Sequence, residues 1–218
     1  PAKPFGLTRS LFRPSDDAVL LPYNIPGNAM ACAELKHLEA MLADAKNVDV
    51  SKLKTQASSV RESLCSALDK VMTFSKRTRS PIPYEVDGEP ATSGSNLMDD
   101  ANIPSLLSLP FLGYMDRSDD LYLSTRQYVW SSKNPFFFSG TQGEGIGGPH
   151  VGPAYAWPMS LIMKAMTSTD DDEVKQCLDL LLKRNVPMCP GLGFELFSRQ
   201  LDLGLFALVA LDLVLVEV

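Results

Sequence analysis

Histidine and tryptophan each occur only twice among 218 residues, and the first scarcity removes a class of chemistry. His37 and His150 cannot assemble a multi-histidine metal centre, which disfavours zinc-hydrolase chemistry. Basic runs are missing as well. Lys and Arg number 20 against 26 Asp and Glu, a formal net charge of −6. No basic cluster exceeds Lys76, Arg77 and Arg79, so no nucleic-acid partner is expected. The cysteines form no CxxC pair: Cys32, Cys65, Cys177 and Cys189 lie 33, 112 and 12 residues apart. Two of them fall at helical apolar positions, so they read as structural thiols rather than as a disulfide or metal ligands. Leu203 to Val216 is short of the roughly 20 residues a spanning helix needs and contains Asp212, so it reads as a buried helix or strand and no membrane partner is expected. An initiator Met, an apolar signal core and an Arg-rich leader are all missing from the front, which reads as a processed product or fragment.

What is present is globular. Apolar residues make up 45% and charged residues 21%, enough to fill a substantial core, and the length suits one large domain. Fourteen Gly and 16 Pro point to long, shaped loops. Between the loops, helix follows helix. Met30, Ala33, Leu38, Met41 and Leu42 recur at helical steps from Asn28, a good N-cap, to Ala45. Val60, Leu64, Leu68, Val71 and Met72 repeat the pattern behind Ser59. Ile103 to Gly113, Asp119 to Ser131 and Trp157 to Thr167 give three more helices, and Asp170, Asp171 and Asp172 load the start of another that runs to about Arg184. Tyr84-Glu85-Val86 is the one short strand expected. The class is mainly α.

Polar and aromatic residues gather in four places. Arg13 stands beside the paired carboxylates Asp16 and Asp17; Asp99, Asp100 and Asn102 precede a helix; Gly140 to His150 holds five glycines; Tyr155 and Trp157 open a helix. Two carboxylates in different environments can act as general acid and general base, and aromatic rings are platforms for sugar faces. Each signal also has an ordinary reading. Acidic residues ahead of a helix cap it, above all the run Asp170 to Glu173. The glycines match neither a Walker A sequence nor a dinucleotide fingerprint.

In order, FRPSDDA at Phe12 to Ala18, YEVDG at Tyr84 to Gly88, LMDDANIPSLLSLPFLGY at Leu97 to Tyr114, GIGGPH at Gly145 to His150 and WPMSLIMKAMTST at Trp157 to Thr169 resemble glycoside hydrolase family 125. The resemblance spans residues 5–184, within one catalytic-type domain fragment covering 1–218. It implies an (α/α)6 barrel, of which this chain holds about half the helices, and an exo-acting α-1,6-mannosidase that inverts configuration without cofactor or metal. The implied partners are α-1,6-linked mannose oligosaccharides or N-glycan-derived mannosides, and secretion is the localisation such a hydrolase suggests.

The family's acid falls at Asp16 or Asp17, with Asp16 favoured and Arg13 orienting the pair. Asp99, Asp100 and Asn102 would bind mannose hydroxyls, and His150 and Trp157 would wall the pocket. Residues 185–218 diverge from the family pattern. There Glu195 is the best candidate for the base. A half-barrel leaves its inner face wet, and several hundred Å² of bare apolar surface costs about 10 kcal/mol. The isolated chain is therefore expected to be marginal, inactive or self-associating through that surface. Two other classes compete with the enzyme: a non-catalytic carbohydrate-binding remnant and a helical interaction module.

Overall fold

The computed structural model describes residues 5–46, 49–89, 94–141 and 143–182. Its frame is a pair of long helices, α1 (Ile25–Ala43) and α2 (Ser51–Thr78). Asn24, not Asn28, caps α1: its side chain accepts from Gly27 N, and Pro26 sits in the first turn, where a missing N–H costs nothing. Asn28 lies inside the helix, buried, and ties the N-terminal segment down by accepting from Thr8 N (2.7 Å) and donating to Thr8 O (3.0 Å). Helix α2 starts eight residues before the expected cap at Ser59, since Asp49 accepts from both the backbone N–H and the hydroxyl of Ser51. Leu64, Leu68, Val71 and Met72 are buried as expected, while Val60 and Met41 face solvent.

Cys32 and Cys65 are not thiols but a disulfide that joins α1 to α2, with Cα atoms 5.7 Å apart. Spacing along the chain could not reveal it, because the two cysteines become neighbours only when the helices pack. Cys177 is free and buried.

Three two-residue strands, β1 (Tyr23–Asn24), β2 (Glu85–Val86) and β3 (Ser95–Asn96), form an antiparallel sheet with β2 in the centre. Tyr23 faces Val86, and Glu85 faces Asn96. A second antiparallel pair, β4 (Phe137–Gly140) and β5 (Gly143–Ile146), occupies the stretch read as glycine-rich loop.

The expected helix at 103–113 is a chain of turns instead. Its first backbone donors are taken from outside: Leu106 N and Leu107 N donate to the carboxylate of Asp99, and Ser105 and Ser108 bond each other's backbone. Leu106, Leu107 and Leu109 are buried all the same, so the apolar spacing reported burial rather than helix. Helix α3 (Asp120–Val129) follows with Asp119 as its cap, then α4 (Pro158–Met166) and α5 (Asp171–Leu182). The expected C-terminal turn of α5 at Lys183 and Arg184, and the stretch Leu203 to Val216, lie outside the described residues. Among the described residues, no helix is long and apolar enough to cross a membrane.

Helices α3, α4 and α5 are joined to β5 by one ionic cluster. Arg126 donates to both oxygens of Glu173; Lys164 lies 3.6 Å from Glu144 and from Glu173, and 4.2 Å above the Trp130 ring. Trp130 in turn donates to Glu144 at 2.6 Å.

Candidate functional site

The Ser-Asp-Asp triplet sits on a tight loop whose ends bridge at Phe12 and Ala18. Arg13 N donates to Asp17 O at 2.8 Å, and Asp16 N to Arg13 O at 3.0 Å. So short a loop needs one left-handed residue. Asp16 supplies it, with φ 67°, a conformation that Asp tolerates better than most side chains. The turn separates the two carboxylates: Asp16 is exposed, and Asp17 is drawn inward to half-burial.

Glu85 fixes the loop from below. Fully buried on the central strand β2, it accepts from Arg13 Nε (2.7 Å) and Nη2 (3.2 Å), from Leu20 N (3.2 Å) and Leu21 N (3.4 Å), and from Asn96 Nδ2 (3.0 Å). Burial works against the charge on Arg13. Hydrogen bonding and attraction to Glu85 outweigh it and hold the guanidinium above its ordinary value. The guanidinium also lies 5.7 Å over the Tyr84 ring, and burial, with the field of Asp100 and Asp99, pushes the Tyr84 phenol well up. Arg13 is therefore committed to Glu85 and faces the protein interior.

Asp17 has two side-chain neighbours of chemical consequence, Ser15 and His150. Ser15 Oγ is 2.8 Å from its Oδ2, and the same hydroxyl is 3.1 Å from Asp100 Oδ2. His150 Nδ1 lies 3.8 Å from Asp17 Oδ1. The His150 ring in turn meets Trp157 edge-on, with centroids 6.4 Å apart. Trp157 is placed by its backbone, which donates to Ile146 O at 2.9 Å as α4 begins.

Asp100 is fully buried, and its Oδ1 accepts both the backbone N–H (2.9 Å) and the side-chain amide (2.8 Å) of Asn102. Gly148 makes room for it: a Cβ there would stand 2.9 Å from Asp100 Oδ2. Gly147 is tighter still, with a Cβ position 1.8 Å from Tyr155 O. These two glycines serve close packing behind the site. Asp99 is also fully buried, with both oxygens on Leu106 N (2.8 Å) and Leu107 N (3.0 Å). Burial raises its carboxyl to about 8, against the pull of those N–H groups.

Of the residues singled out in the sequence, the structure thus brings together Asp17, His150 and Trp157, backed by Asp100 and Asn102. Asp16 points to solvent, Asp99 caps a turn, and Arg13 lies beneath the loop. Glu195 lies outside the described residues. Sequence reasoning passed over Ser15 and Glu85, although both stand inside motifs it quoted. Their signal was there: a hydroxyl beside two carboxylates, and a carboxylate in a strand otherwise apolar. Among the described residues, no three His, Cys, Asp or Glu side chains are placed to hold a metal ion.

Comparison with known proteins identifies the family of the chain. The family profile of the metal-independent α-mannosidases matches residues 1–189. The Meiotically up-regulated gene 157 protein of Schizosaccharomyces pombe is 46% identical over 205 residues, which cover 92% of this chain and 38% of that protein. A Streptococcus pneumoniae structure, from a family of metal-independent α-mannosidases that process N-linked glycans, superposes with a TM-score of 0.73 at 32% identity, over 81% of this chain and 41% of that one. That structure is a non-productive complex with α-1,6-mannobiose. The chain spans about two fifths of the length of these relatives. With most of its length matched by the profile, the chain belongs to glycoside hydrolase family 125, the metal-independent α-mannosidases.

Proposed function

We propose that this chain carries the acid and the base of an inverting, exo-acting α-1,6-mannosidase site, and that its helices make up about half of an (α/α)6 barrel. The observation that carries the reading is the half-buried Asp17 carboxylate, flanked by Ser15 and His150 beside the edge of Trp157. The α-1,6-mannobiose bound by the streptococcal relative supports the choice of substrate. Asp17 takes the role of general acid in preference to Asp16, whose side chain is turned outward by its backbone. Asp17 gives its proton to the glycosidic oxygen as the bond from the anomeric carbon to that oxygen breaks and the electron pair passes to the leaving group. A water adds to the anomeric carbon from the opposite face and gives its proton to a general base. Glu195 is the base in this reading; inverting chemistry in general sets the two carboxyl groups roughly 6.5 to 9.5 Å apart to leave room for the water. His150 and Trp157 form the wall against which the sugar rests.

The test is incubation with α-1,6-mannobiose while the anomer released is followed by NMR. Inversion releases β-mannose first. Asp17→Asn lowers turnover by about 10² to 10⁴, the range for loss of a general acid, and Asp16→Asn leaves most of it. Full activity in Asp17→Asn, or first release of α-mannose, overturns the assignment.

A further inference from the structure

We propose that Ser15 is a proton bridge that holds one proton in common between Asp17 and the buried Asp100. The proposal rests on the mannosidase reading for its purpose, and on hydrogen-bond counting for its content. A serine hydroxyl carries one proton and two lone pairs. Ser15 Oγ lies within hydrogen-bond distance of two carboxylate oxygens, at 2.8 Å from Asp17 Oδ2 and 3.1 Å from Asp100 Oδ2. If both carboxylates are ionised, the single hydroxyl proton can serve only one of them well. The other contact then sets lone pair against lone pair. One further proton resolves this: a protonated carboxyl donates to Ser15 Oγ, and Ser15 donates to the other carboxylate.

Among the described residues, no other hydrogen-bond donor reaches Asp100 Oδ2. Asp100 is fully buried, and the two Asn102 donors go to Oδ1. Gly148 lies against Oδ2 but presents no side chain. Arg13, whose charge reaches Asp100, spends its hydrogen bonds on Glu85. Asp99 and Tyr84 add no positive charge. On the open side, His150 faces Oδ1 of Asp17, not Oδ2. The shared proton therefore has two placements, exchanged by turning the Ser15 hydroxyl and moving protons along the chain. In one it rests on Asp17, whose O–H turns from Ser15 to the leaving group when it is given up; in the other it is kept on Asp100, out of reach of water. Ser15 and Asp100 are positioning residues for the acid and touch no substrate themselves.

Infrared spectroscopy of the full chain near neutral pH counts protonated carboxyls by their C=O stretch, without any need for activity. Asp99 supplies one such band, which persists in every variant used. The bridge adds a second, and because the proton is shared, Asp17→Asn and Asp100→Asn each abolish it. Asp17 is half-exposed, so its amide variant folds and decides the matter even where Asp100→Asn does not. No second band in the wild type, as for a hydroxyl bifurcated between two ionised carboxylates, overturns the bridge. So does a second band that survives Asp17→Asn.

The kinetic arm links the bridge to catalysis. Ser15→Ala raises the ratio of α-mannosyl fluoride to mannobiose hydrolysis by about tenfold or more, because fluoride leaves without the help of an acid. An unchanged ratio removes the catalytic role of the bridge. A wild-type chain that hydrolyses neither substrate overturns the mannosidase reading, and the infrared count still decides the proton.

Discussion

Replacing Glu85 by Gln tests whether the acid-bearing loop is held by charge as well as by shape. In the wild type, Oε2 accepts four donors, from Arg13 Nη2, Leu20 N, Leu21 N and Asn96 Nδ2, and Oε1 accepts Arg13 Nε. The glutamine oxygen must therefore take the Oε2 place, since an NH2 there would face four donors. Its NH2 is then forced against Arg13 Nε. One charge-assisted bond is lost, and the Arg13 guanidinium stays buried without a counter-ion. Breaking a buried pair from one side costs about 3–5 kcal/mol. At roughly 2–4 °C per kcal/mol for a chain of this size, the melting temperature falls by about 10 °C in differential scanning calorimetry. Arg13→Met combined with Glu85→Gln removes the orphaned charge and regains part of the loss. A fall under about 1 kcal/mol in Glu85→Gln, or a double variant less stable than the single one by the full cost again, refutes the reasoning.

The Cys32–Cys65 bridge closes a loop of 33 residues, and its removal in Cys32→Ala/Cys65→Ala costs about 3.7 kcal/mol by loop entropy, read as a shift in urea midpoint. Asp99 has its carboxyl raised by burial from 3.8 to about 8, so the folded state binds the extra proton across that window. Stability is therefore greatest at the acid end and is lost as pH rises toward about 8, and Asp99→Asn flattens this slope in urea titrations at a series of pH values. An Asp99→Asn slope equal to that of the wild type sinks the assignment. Gly147→Ala does not yield folded protein, because its Cβ would sit 1.8 Å from Tyr155 O, whereas Gly148→Ala folds with Asp100 displaced and loses the second infrared band.

Part of the local chemistry was legible in the sequence, although the caps of α1 and α2 were misplaced at Asn28 and Ser59, and tertiary chemistry was not. Asp119 ahead of α3, Pro158 in the first turn of α4 and the acidic start of α5 act within one helical turn, so neighbouring residues suffice to read them. The turns at 103–113 escaped because their cap, Asp99, reaches across from outside the stretch. Asp99 and Asp100 look alike in the sequence, and only folding shows that both are buried, one on backbone N–H groups and one against Ser15 and Asn102. The motif that contains Asp16 and Asp17 marked the loop. The choice between them depends on a single left-handed residue, which composition does not show. Glu85 and Arg13 are 72 positions apart, and no periodicity links them.

That same separation has a consequence for the order of folding. The helix pair α1–α2 lies wholly between Arg13 and Glu85 along the chain, so closing their clamp before the helices pack would mean ordering a long, empty loop. The clamp therefore forms late, once the helices have shortened the path. Until then the Ser-Asp-Asp loop has nothing to fix its shape. A newly made chain thus acquires the α1–α2 pair before it acquires the shape of the Ser-Asp-Asp loop, and the placing of the Asp17 carboxylate beside Ser15 is the signature of a finished fold.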